Sequence, residues 1–416
     1  MSASTSTPAA PSGAPLETET GQRVTLGSFA RERVAALREG ELGSLPIVVG
    51  IIVIAIYFQA RNSNFLTADN FVNLIAQMAA IMIIGTGIVF VLLLGEIDLS
   101  VGYVSGMGGV IAALLLEPGK NVPTSVAVIL AIGTGVAIGV LQGFFVARLG
   151  VPSFVVTLAG LLGWNGVLLQ IIGSSGTIVI QNSFINGIAN EYMSHALAWL
   201  VAILAIGAYA FQQLANVYRR RQAGLPVDPW AFVIGRIVLV AIAAIAVVVV
   251  ADSSRGLPYV TLIMLGSYVI WTFVAERMRF GRHIYAVGGN AEAARRAGIN
   301  VPGIKIAVFA ISGGMAAIGG IVLASRLSSV DTSTGGGTIL LYSIAAAVIG
   351  GTSLFGGRGT IKSAFLGAIV ITMIDNGLGL LNVSAGTKYI VTALVLLAAV
   401  TLDSLSRRGR VAAGRT

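Results

Sequence analysis

Glu96, Asp98 and Ser100 lie in the turn GEIDLSVG, and Asp375 and Asn376 in MIDNG, both flanked by strongly apolar sequence. Carboxylates at membrane depth are costly and face a cavity or a partner. Along a solute pathway they offer acceptors to hydroxyl groups. As structural groups they cap helices or pair internally. Asp98 is placed to cap a helix beginning at about Leu99, while Glu96 and Asp375 fit either role. No catalytic residue is expected. His195 and His283 are the only histidines, 88 positions apart and assigned to opposite sides of the membrane, which argues against a two-histidine metal site and a Ser-His-acid centre. There is no cysteine, hence no disulfide framework, thiolate metal site or cysteine nucleophile. The glycine-rich stretch 350–359 is not a phosphate loop: Gly357 is followed by Arg358 and Gly359, where a Walker pattern needs Gly-Lys and then Ser or Thr.

A second group of chemically useful residues is concentrated in 281–302, GRHIYAVGGNAEAARRAGINVP. Residues 276–305 carry six basic against two acidic side chains, +4 of the whole chain's +9. Asn290 can cap a helix that begins at Ala291, with Glu292 in its first turn, Arg295 and Arg296 in its last, and Gly298 to end it. Glu292 and Arg296 stand at i and i+4, and Ala293 and Ala297 form a small face suited to close docking. A helix of two turns is unstable alone in water. Flanking spans or a partner's groove must hold it. The other reading is an ordinary loop, basic because topology demands it.

The elements that position these residues follow from composition. Mean hydropathy is +0.90 and only 10% of residues are charged, and apolar runs approach the roughly 20 residues needed to cross a bilayer. This is a membrane chain. Its pI near 10.1 does not indicate nucleic acid, because the basic residues sit in short loops between apolar runs. Twelve runs are expected, at about 46–59, 71–94, 101–116, 126–147, 154–172, 196–214, 231–251, 260–275, 303–324, 339–350, 361–381 and 389–402. With both termini inside, 21 of the 26 Lys and Arg are cytoplasmic, leaving Arg61, Lys120, Arg255, Arg326 and Lys388 outside.

Residues 1–44 read as a disordered cytoplasmic tail with a surface helix, 45–405 as the transmembrane domain, and 406–416 as a basic cytoplasmic tail. Glycine breaks around 95–102 and 350–359 predict discontinuous helices. Each break is a polar turn followed by a helix with small residues at close intervals, an outline that suggests two related halves. Residues 196–251 interrupt it as an inserted hairpin. Gly135, Gly139 and Gly143 stand four apart on one helix face, the spacing of close helix packing; a hinge is the alternative.

The island at 281–302 resembles the characteristic cytoplasmic loop of ABC-importer permeases of the ribose, arabinose and xylose group. LLLGEIDLSVGYVSG (92–106), VPSFVVTLAGLL (151–162), SIAAAVIGGTSLFGGRGT (343–360) and GAIVITMIDNGLGLLNVS (367–384) are similar to that family's other signature segments, in the same order over about 70–403. The resemblance implies a ten-span helical permease acting as a homodimer in the bacterial cytoplasmic membrane. Two ATPase subunits would bind ATP and Mg inside, and a separate sugar-binding protein would deliver substrate outside. By the same resemblance, Gly288, Gly289, Asn290, Glu292, Ala293, Arg295, Arg296 and Gly298 belong to the segment seated in the ATPase, and Glu96, Asp98, Ser100, Asp375 and Asn376 to a possible substrate pathway.

The 196–251 hairpin exceeds the usual span count and is similar to the longer xylose-type branch, which favours a pentose. Glu96 stands where that family commonly has glycine, and Asp375 where it has asparagine, which weakens a ribose assignment. The expectation is therefore an all-α polytopic membrane protein of about twelve helices, with no cofactor of its own, serving as the membrane subunit of an ATP-driven importer of D-xylose or a similar pentose. Alternatives are a permease of the same family for ribose, a nucleoside or a branched-chain amino acid, and an autonomous carrier using Glu96, Asp98 or Asp375 to couple protons.

Overall fold

In lipid the backbone has no water to bond, so long apolar runs must fold as helices. The computed structural model describes residues 45–412; the tail and surface helix expected over 1–44, and the last four residues of the basic tail, lie outside that range. The helices are α1 Leu45–Arg61, α2 Ala68–Leu93, α3 Val101–Leu115, α4 Thr124–Arg148, α5 Ser153–Ile172, α6 Ser183–Asn190, α7 His195–Gln222, α8 Trp230–Asp252, α9 Val260–Arg277, α10 Arg279–Gly289, α11 Ala291–Arg296, α12 Val301–Leu327, α13 Gly337–Ile349, α14 Ile361–Leu380 and α15 Ala385–Ala412. Each of the twelve expected runs lies essentially within one of them. Among the described residues, eight helices are long and apolar enough to cross a membrane, and α1, α3, α13 and Ala385–Ala398 are shorter apolar helices.

Local chemistry sets the boundaries. Thr67 caps α2 by accepting from the Asn70 N–H, and Asn300 caps α12 with Pro302 in its first turn. Both glycine breaks interrupt the helices as expected: α2 stops at Leu93 and α3 starts at Val101, while α13 stops at Ile349 and α14 starts at Ile361. Strand structure among the described residues is confined to a ribbon of β1 (Thr177–Val179) and β2 (Ser329–Asp331), antiparallel with Ile178 opposite Val330, and an isolated bridge between Tyr192 and Pro258.

The chain divides into two units. In the first, the described residues are Ile206–Ala241, the adjoining parts of α7 and α8 with their connection. Arg236 pairs with Asp228 at 3.0 Å, the Arg220 Nε donates to the Pro226 carbonyl at 2.9 Å, and the Arg221 guanidinium lies 5.2 Å from the centre of the Trp230 ring.

In the second unit, α12 packs along α4, α3 and α2, and α14 packs on α13 and α2. Gly135 of α4 and Gly313 of α12 face each other so closely that a methyl group on either would overlap the other's carbonyl oxygen. Gly139 is closed in the same way by Phe309. The four-residue glycine spacing is therefore a packing seam.

Candidate functional site

Four segments far apart in sequence meet at one end of the second unit: the turn 94–100, the start of α5, the α10–α11 pair and the loop 350–360. Backbone carries much of this junction. The Leu93 carbonyl accepts from the Gly357 N–H at 2.8 Å, and Gly288 lies against both groups with no room for a side chain. Gly356 and Gly357 take φ of 85° and 72°, the left-handed region open to glycine, which lets the loop turn beneath Gly288 and Gly95. The Tyr285 hydroxyl donates to the Gly359 carbonyl at 2.8 Å. Burial, with the charge of Glu276, pushes its phenol above the ordinary range.

Sequence reasoning placed one helix here, and the structure has two. The glycines at 281, 288 and 289 read as loop, yet Gly281 and Gly288 sit inside α10 and permit backbone contact there. Phe280, Ile284 and Val287 recur at helical spacing on the packed side, the signal that could have revealed α10. The expected helix follows as α11: the Asn290 side chain accepts from the Ala293 N–H at 2.9 Å, and Gly298 ends it at φ 83°. Ala294 is buried, whereas Glu292, Ala293, Arg295, Arg296, Ala297 and Gly298 are exposed. Glu292 bridges Arg295 at 2.9 Å and Arg296 at 3.2 Å. Gly289 carries no neighbour where a Cβ would point.

The acids of the turn 94–100 each have a partner that sequence could not supply. Glu96 pairs with Lys305 of α12, 209 residues away, with both side chains mostly buried. Asp98 is buried; it accepts from the Ser100 N–H at 3.0 Å, the Ser100 hydroxyl at 2.7 Å and the Ser312 hydroxyl at 2.9 Å. The Ser100 hydroxyl also lies 2.9 Å from Gln142 Oε1. Ser100, not Asp98, occupies the cap position of α3. The capping expectation for Asp98 is thereby corrected: the helix begins two residues later than expected, and Asp98 bonds the cap residue Ser100 while also tying this turn to α12 through Ser312. α5 braces the same turn, through the Ser153 Oγ accepting from Ile97 N–H at 3.2 Å and the Thr157 hydroxyl donating to Ile97 O at 3.1 Å.

The remaining two candidates lie elsewhere, so Glu96, Asp98 and Ser100 do not form one site with Asp375 and Asn376. Asn376 exchanges reciprocal amide hydrogen bonds with Asn70, at 2.9 and 3.0 Å, pinning α14 to α2. Its neighbour Asp375 accepts from the Tyr342 hydroxyl at 3.0 Å and lies 3.5 Å from Lys388 Nζ, at the edge of a cavity of about 260 Å³. Beside that cavity, burial alone would raise the Asp331 carboxyl, but donors from Ser333 and Thr334 outweigh it and hold the group below its usual value. No cluster of three His, Cys, Asp or Glu side chains able to hold a metal occurs among the described residues.

Fold and site together define an all-α, multi-pass membrane protein, with acids built into interhelical packing and an exposed basic arm at one end. The chain belongs to the branched-chain amino acid transport system/permease component family, whose model matches residues 70–400; it is a transport subunit, not an enzyme. It is 38% identical over 390 residues to the xylose transport system permease protein of Escherichia coli K12, covering 92% of this chain and 96% of that one. Identity to the xylose transport system permease protein of Haemophilus influenzae is 34% over 363 residues, 87% and 96% of the two chains. The ribose import permease protein of Escherichia coli K12 is 32% identical over 359 residues, 86% and 92% of the two. No solved structure matches the chain.

Proposed function

We propose that this chain is the membrane-spanning subunit of an ATP-driven importer in a bacterial inner membrane, carrying D-xylose or a similar pentose. The names of the xylose and ribose permease relatives support the solute class, and the shared family supports the transport role. ATP and Mg belong to partner ATPase subunits, an extracytoplasmic binding protein delivers the sugar, and a second copy of this chain completes the pathway. Both termini are cytoplasmic. The excess of basic over acidic side chains in 276–305, the segment that forms the arm, supports that orientation through the positive-inside bias.

The observation that carries the coupling role is the exposed face of α11 on an arm whose root, Gly288, is wedged against Leu93 and Gly357. A groove in the ATPase would receive Ala293 and Ala297, and its acidic groups would meet Arg295 and Arg296. Movement of that groove as the ATPases close is passed through α10 to both glycine-rich turns at once. Those turns end α2 and α13 and begin α3 and α14. The pathway then alternates between outward and inward access.

A proton-coupled carrier needs an acid free to load and release a proton. Here Glu96 is held by Lys305, Asp98 by three donors, and Asp375 by Tyr342 and Lys388. The test is charge reversal of Arg295→Glu with Arg296→Glu in the full assembly. ATPase co-purification and ATP-driven xylose uptake should both fall sharply. Undiminished association and uptake would refute the coupling assignment.

A further inference from the structure

We infer that the cavity beside Asp375 is a binding site for one monosaccharide within the permease itself, a pentose if the solute proposed above is right, on which this inference rests. Its walls come from α2, α12, the β2 loop, α13 and α14, and its volume is about 260 Å³. Pockets for drug-sized ligands run from roughly 300 to 1,000 Å³. This space suits a single sugar ring.

The lining is that of a polyol site. Gln77, Thr338, Tyr342, Thr372 and Asp375 supply hydroxyl, amide and carboxylate groups, and Arg326 supplies a fork of donors. Thr372 is 2% exposed, yet its hydroxyl has no hydrogen-bond partner. An unpaired buried hydroxyl is costly, and a small rotation of Thr372 toward the cavity it lines would let a sugar hydroxyl satisfy it. The Arg326 guanidinium, another of the lining groups, interacts electrostatically with the Asp375 carboxylate across the site. Ala80 and Ile81 of α2 present a small apolar wall to the flat face of a ring.

Charge favours a neutral ligand. Asp331 and Asp375 stand against Arg326 and Lys388, so the positive and negative groups balance. An ammonium group finds the Asp375 carboxylate already shared by Lys388 and Tyr342, and an anion attracted to Arg326 is repelled by two carboxylates. The cavity lies at the end of the second unit opposite the basic arm, where a binding protein would release its sugar.

The absence of cysteine makes a clean reporter available. Thr338→Cys, half-buried at the cavity, is introduced into the full chain assembled with its ATPases in proteoliposomes. Alkylation by a maleimide is followed while D-xylose, D-ribose or L-leucine is added, with Lys120→Cys as a remote control. D-Xylose should slow modification at position 338 and leave position 120 unchanged. Asp375→Asn in the same background should weaken protection roughly tenfold or more, the effect of losing a hydrogen bond to a charged group. Thr372→Val, read by the KM of xylose uptake without any cysteine, should raise that KM severalfold; an unchanged KM would count against the sugar contact with this hydroxyl.

If neither pentose protects position 338 in an assembly that still imports xylose, the cavity assignment is overturned and the importer reading stands. Protection by leucine in place of pentose overturns the sugar class. An assembly that imports no sugar with ATP overturns the functional reading itself.

Discussion

Gly288 and Gly289 are adjacent, share one helix and should respond in opposite ways to the same small change. A Cβ on Gly288 would overlap the Leu93 carbonyl oxygen and fall 2.8 Å from its carbon and 2.9 Å from the Gly357 nitrogen. All three are backbone atoms, so no flexible side chain can swing away. Overpacking of this kind costs about 1–3 kcal/mol, offset by roughly 0.5–1 kcal/mol from replacing a helical glycine with alanine. If the strain parts the Gly357 N–H from Leu93 O, the loss of a buried hydrogen bond adds about 1–3 kcal/mol. Gly288→Ala should therefore destabilise the permease by up to roughly 2.5 kcal/mol if that bond survives and by roughly 1–5.5 kcal/mol if it is lost. At Gly289 nothing lies within 4 Å of the added methyl, and Gly289→Ala should be neutral or gain up to about 1 kcal/mol. The assay is thermal unfolding of the two purified variants beside the parent, together with sugar imported per ATP hydrolysed in the assembled transporter. Gly288→Ala should lose both stability and coupling, and Gly289→Ala neither. Equal behaviour of the pair in both measurements would refute the argument that the arm is wedged at Gly288.

Glu96→Gln or Lys305→Ala leaves the partner charge mostly buried without its ion pair, and each should cost about 1.5–3 kcal/mol. In a double-mutant cycle followed by thermal unfolding, the pair should cost less than the sum of the singles; additivity would show the contact to be energetically idle. On α4, Gly139→Leu should drive α12 away and prevent stable folding, whereas Gly133→Leu, with open space beside it, should leave the unfolding midpoint unchanged. Asp331 has a folded-state pKa below its unfolded value near ~3.9. Its contribution is thus complete above that pH and lost as pH falls through the folded value. The midpoint difference between the parent and Asp331→Asn should accordingly be largest near neutrality and shrink below about pH 4; a difference independent of pH would count against the Ser333 and Thr334 hydrogen bonds.

Features fixed within a few residues were legible in the sequence. The twelve apolar runs, the Asn290 cap, the Glu292–Arg296 pair and the glycine seam of α4 all depend on spacing along one element. Partners brought together by folding were not. Glu96 meets Lys305, and Asn70 meets Asn376, only because α2, α12 and α14 lie side by side. The candidate pathway residues looked alike as polar groups in apolar sequence, yet Asp98 bonds neighbouring helices, Asn376 locks an amide pair and Asp375 borders a cavity. No local pattern distinguishes these fates. α10 escaped notice for a different reason: its glycines are read as helix breakers in water, whereas here two of them are the means by which one backbone comes to rest on another.

The burial of α2 also bears on how the chain is made. Of its most apolar window, 78% is buried inside the protein, against helices that the ribosome completes long afterwards; Asn70 finds Asn376 across 306 residues. Through most of synthesis α2 must rest in lipid as an independent inserted helix, stable by apolarity alone, with Gly85 and Gly87 facing acyl chains. Its final neighbours arrive as already inserted segments. Assembly is therefore a late, lateral event, and a chain cut short after α9 should be fully inserted yet lack the contacts that define the native permease.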